Sequence, residues 1–67
     1  MITDLELIKL NKEFNQLDKN ITMQELRPLH DEEFSKGWVI CVDNIIVANA
    51  NNSYEVVREQ ITRYINN

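Results

Sequence analysis

Apolar residues at Leu7, Leu10, Phe14, Leu17 and Ile21 recur at alternating steps of three and four. That rhythm places side chains on one stripe of an α-helix. Leu5 and Ile8 widen the stripe near its start, and Thr3 with Glu6 has the spacing of a capping box. A helix over 3–19 is expected, with Lys19-Asn20 as its end and Asn20 suited to a left-handed cap. The stripe also fits a short coiled-coil seam. It runs for fewer heptads than such seams usually sustain, so a helix laid on a core is preferred.

A second start signal follows at once. Thr22 and Glu25 repeat the capping-box spacing, with Ile21 and Leu26 in the flanking positions of a hydrophobic staple. Pro28 disfavours helix at Arg27, so the expected second helix is short, 22–27. Residues 29–36, LHDEEFSK, are read as a further turn that ends at Gly37 with Phe34 tucked inward.

The pattern then changes from helical to extended. GWVICVDNIIVANA, residues 37–50, reads as strands 37–42 and 45–50 joined by a two-residue turn at Asp43-Asn44. A regular ladder would set Val42 opposite Ile45, Cys41 opposite Ile46, Ile40 opposite Val47 and Val39 opposite Ala48. One face would carry Trp38, Ile40, Val42, Ile45 and Val47; the other would carry Val39, Cys41, Ile46, Ala48 and Ala50. Both faces are apolar, so both call for cover. The last element is a helix over 53–65, capped by Ser53, or by Asn52 with Glu55 in the capping-box position. Tyr54, Val57, Ile61, Tyr64 and Ile65 form its stripe. The expected fold is a single α+β domain of order ααββα, with the first helix on one hairpin face and the last helix on the other.

The pattern Gly37-Trp38-Val39, Val42-Asp43, Val47-Ala48, then Ser53 and Val57 resembles a group of short prokaryotic ββα domains of unknown function. The resemblance spans residues 37–66. It implies the strand–strand–helix order there and carries no activity.

Composition limits the chemistry. A chain of 67 residues buries only about 60% of the surface it exposes when unfolded. One cysteine, Cys41, excludes an internal disulfide, and one histidine, His30, completes no zinc cluster. Of the usual supports for so small a domain, self-association or a partner remains. The net charge of −4 and the scattered Lys and Arg disfavour nucleic acid. No apolar run is long enough for a membrane span and no signal-peptide pattern is present, so a cytoplasmic location is the default expectation.

Cys41 sits mid-strand, where a cysteine acts as a small hydrophobe, and no base stands near it in sequence. His30-Asp31-Glu32-Glu33 reads as a solvated acidic turn or a contact patch for a basic partner. Aromatics can be interface anchors, but Trp38 is read first as core packing, and Tyr54 and Tyr64 as core residues whose hydroxyls reach the rim. Catalytic, cofactor and metal sites are all expected to be absent.

The leading functional expectation is a small non-enzymatic module that occupies a partner protein's surface. Phage-encoded anti-defence inhibitors such as anti-CRISPR proteins, and antitoxins, share this profile. Its candidate contact residues are Trp38, Val39, Val47, Asn49, Asp31, Glu32 and Glu33. The alternatives are a homodimeric structural or accessory protein, joined through a hairpin edge or the first helix, and a small nucleic-acid-binding regulator. An open hairpin edge, free of charged side chains, is expected to continue into another chain.

Overall fold

The computed structural model describes residues 1–26 and 37–67. Expectations for residues 27–36, including His30, the acidic run and Phe34, lie outside the described residues.

Helix α1, Asp4–Phe14, begins with the expected capping box. The Thr3 hydroxyl accepts from the Glu6 N–H at 3.2 Å, and the Thr3 N–H donates to the Glu6 carboxylate at 3.0 Å. The helix is shorter than the expected 3–19. After Phe14 the chain tightens into a 3-10 turn, Asn15–Leu17, and Asp18 rather than Asn20 takes the left-handed conformation, at φ 62°. The Lys19 N–H then returns to the Phe14 carbonyl at 3.2 Å, which closes the helix end. Leu7, Leu10 and Phe14 pack on the core. Leu5 and Ile8 do not widen that stripe. Each precedes a core residue by two positions, about 200° round the helix, and both face solvent.

Residues 21–26 form a strand, β1 (Ile21–Leu26), where a short helix over 22–27 was expected. The local pattern serves both forms, since Ile21 and Met23 alternate along a strand as readily as Thr22 and Glu25 cap a helix. Three considerations favour the strand. Ile21 and Thr22 are β-branched, Pro28 leaves room for barely one helical turn, and an adjacent strand edge offers a full ladder. Strands β2 (Gly37–Val42) and β3 (Ile45–Asn49) form the expected hairpin. Asp43 and Asn44 both have positive φ, 50° and 71°, as a type I′ turn requires. The sheet is antiparallel with order β1-β2-β3, so β2 is central and each of its edges is paired within the chain. Of the two hairpin edges expected to be open, that of β2 is therefore occupied by β1.

The hairpin register departs from the regular ladder after Cys41–Ile46. Ile40 pairs with Ala48 and Val39 with Asn49, leaving Val47 as the extra residue of a β-bulge. One inserted residue reverses the facing of everything beyond it. Ala48 and Ala50, expected on the second face, therefore join the core with Ile40 and Val42. This answers much of the double-faced apolar pattern: the second face of the hairpin keeps only Val39, Cys41 and Ile46.

Helix α2, Tyr54–Asn66, starts at Ser53, whose hydroxyl accepts from the Val56 N–H at 3.4 Å. Val57 and Ile61 are fully buried, with Tyr54 and Ile65 packed beside them. Both helices lie on the same side of the sheet, not one on each face. A single core joins Leu10 and Phe14 of α1, Ile21, Ile40, Val42 and Ala48 of the sheet, and Val57 and Ile61 of α2. Helix α1 rides on β1 and α2 on β3. The geometry explains the choice. The outer strands of a three-stranded sheet are about 10 Å apart, which matches the spacing of two packed helices. Lys9 lies over the Tyr54 ring and Glu13 pairs with Arg58, so equal steps along both helices stay in contact and the helices run parallel.

Candidate functional site

The described residues hold no group of three His, Cys, Asp or Glu side chains able to bind a metal ion. No buried polar side-chain atom among them lacks a partner. Cys41, 1% exposed on the central strand, pairs in register with Thr22 on one side and Ile46 on the other. Burial pushes its thiol pKa up, the opposite of what activates a cysteine nucleophile. What the described residues offer is surfaces.

The two sheet edges differ. On β1, the ladder alternation turns the backbone groups of Ile21 away from β2, and the Asn11 side chain meets both. Its amide donates to the Ile21 carbonyl at 2.8 Å, and its oxygen accepts from the Ile21 N–H at 2.9 Å. Asn11 thus stands in for a fourth strand at that end of the edge. Glu25 adds a charge near the other end, the usual deterrent to pairing.

The β3 edge has neither guard. The strand reads Ile-Ile-Val-Ala-Asn, without a charge. The two-residue turn makes Val42–Ile45 a hydrogen-bonded pair, so the backbone N–H and C=O of Ile46 point outward. Ile45 is 54% exposed and Ile46 is 55% exposed. Consecutive strand residues face opposite sides, so these two carry apolar surface around the edge from one face to the other. Only the bulge at Val47 interrupts the strand.

Of the sequence-derived contact residues, Val47 packs against the core at the bulge and Val39 is half-buried on the face away from the helices. Asn49 is exposed, and its side-chain oxygen accepts from the Asn51 N–H at 2.9 Å to close the loop before α2. Trp38 stands on the helix side opposite Glu25, 36% exposed and outside the core cluster. Asp31, Glu32 and Glu33 lie outside the described residues. The apolar pattern of both hairpin faces calls for cover over Ile45 and Ile46, yet the structure leaves both exposed. Ile46 is exposed because both helices sit on the other face of the sheet, and Ile45 because it stands at the end of the outer strand.

Comparison with protein-family models, with curated proteins and with solved structures finds no match to this chain.

Proposed function

We propose that this chain is a non-enzymatic protein-binding module that acts by occupying a partner's surface, with the outer edge of β3 as its contact. The supporting observation is the uncharged edge strand on which Ile45 and Ile46 stay exposed on opposite faces beside an outward-facing backbone N–H and C=O. A partner strand laid there would gain main-chain bonds from the edge and selectivity from the two isoleucines. Inhibitors of defence systems and antitoxins work by this kind of occupation, and either role fits the reading.

The cations give nucleic acid little support. Among the described residues Lys19 pairs with Asp43, Arg58 with Glu13 and Arg63 with Glu59. Three of the five described basic groups are so neutralised, and Lys9 and Lys12 alone make no cluster for phosphate.

The test compares immobilised wild type with Ile46→Lys, a substitution at an exposed site that keeps the fold and charges the edge. A protein from the source cells that binds wild type directly and in fixed stoichiometry, and loses at least tenfold affinity for the variant, supports the edge. Equal binding by both moves the contact elsewhere. No binder to wild type overturns the reading.

A further inference from the structure

Helix α1 presents a second apolar surface on the side opposite the core. Leu5 is 75% exposed, Ile8 52% and the adjoining Met1 63%. Ile8 is the midpoint of a ridge of fourth residues, Asp4–Ile8–Lys12, acid at one end and base at the other. Asp4 and Lys12 are exposed, and neither is engaged in an ion pair among the described residues. The neighbouring cation, Lys9, lies 5.8 Å from the centre of the Tyr54 ring and belongs to the contact with α2.

Such a ridge is its own complement when reversed. Rotating a copy of α1 by 180° about an axis through Ile8 sets Ile8 against Ile8 of the copy. The same rotation brings Asp4 to Lys12 of the copy and Lys12 to its Asp4. Both charged residues lie four positions from the axis, about 6 Å of helical rise, so the pairs meet at equal distances on either side of an apolar centre. We propose that the chain forms a two-fold homodimer through the outer face of α1, with Ile8 at its centre, Leu5 flanking it and two Asp4–Lys12 pairs at its ends. The occupant is a second copy because the charge pattern matches this helix reversed. The interface is small, which makes the dimer a weak one.

This proposal is independent of the β3 edge, which lies in the sheet layer and stays open in the pair. Sedimentation equilibrium from micromolar to about 1 mM tests it. Wild type is expected to approach twice the 7.9 kDa chain mass. Ile8→Lys is expected to stay at the single-chain mass with an unchanged helical spectrum, since Ile8 is more than half exposed and lies outside the core cluster. Asp4→Lys and Lys12→Asp each turn two attractions into two repulsions, and each is expected to weaken dimerisation about tenfold. Mixing those two variants restores both pairs, so the mixture is expected to associate within about threefold of wild type. Any loss of helix stability in either variant would persist on mixing, so recovery isolates the interface. A wild type that keeps the single-chain mass throughout, or a mixture no tighter than its components, overturns the proposal.

Discussion

Asn11 is the side chain on which the junction of helix and sheet depends. Its amide satisfies both backbone groups of Ile21 and also donates to the Leu7 carbonyl at 3.3 Å. Asn11→Ala would leave a half-buried N–H and C=O unpaired, a loss of about 1–3 kcal/mol. Asn11→Asp keeps the acceptor but sets a carboxylate against the Ile21 carbonyl, so thermal melts should show it no better than alanine. Cys41 makes a different test. Its raised pKa means that the unfolded chain releases the thiol proton first as pH rises. The associated stability is complete below the ordinary thiol pKa and is lost as pH climbs through the folded value. Denaturant midpoints should therefore fall in the alkaline range for wild type and fall less for Cys41→Ala. The native thiol should react with a disulfide reagent only on unfolding.

Among the elements, the clearest contrast lies within the hairpin. Ile40 is fully buried, and Ile40→Ala should cost about 2–5 kcal/mol. Ile46, more than half exposed, should cost about 0.5 kcal/mol or less when truncated. Similar melts for the two would place Ile46 in a buried layer. Both capped helix starts, the final helix and the Asp43-Asn44 turn were legible because each rests on residues adjacent in sequence. Strand β1 was not, because Thr22 and Glu25 satisfy a helix cap locally while the edge of β2, which decides the matter, comes from later in the chain. Gln24 discriminates the two forms. As the pair of Val39 it donates into the ladder, so Gln24→Pro should be strongly destabilising, whereas the first turn of a helix would accept proline. The bulge was equally hidden, and so was the placing of both helices on one sheet face, which leaves Ile46 exposed on the other. Nothing in IIVAN marks Val47 as the unmatched residue.

The described residues form two layers, and the helical layer is tied together at its surface by a forked pair. Arg58 Nε donates to Glu13 Oε1 at 2.8 Å, and its Nη2 lies 2.7 Å from Oε2. The Glu13 carboxylate raises the Arg58 pKa, so the guanidinium stays charged at any pH the fold survives. The pair is solvent-exposed, with side chains 50% and 36% accessible, and salt screens it. Glu13→Gln should lower the melting temperature slightly in dilute buffer and not at all near ~1 M salt, where the screening length is about 3 Å. A loss that persisted in salt would show that the two helices depend on this link for more than charge. Packing of Leu10 and Phe14 with Val57 and Ile61 over one sheet face is the stronger tie, because those residues are almost wholly buried.

The bulge makes one residue of β3 dispensable. Removing Val47 would let Ala48 follow Ile46 directly, and the pairs Ile40–Ala48 and Val39–Asn49 would survive in an unbroken ladder. The domain should therefore fold with a residue deleted at this position, losing only the contact Val47 makes with the core, whereas deleting Ile40 would throw half of the central strand out of phase on both sides. The shortened strand would also be straight. A bulge bends an edge away from would-be neighbours, and an uncharged, regular strand lacks that protection. Length variants of this chain should thus trade solubility for regularity: the deletion that tidies the sheet is the one expected to precipitate.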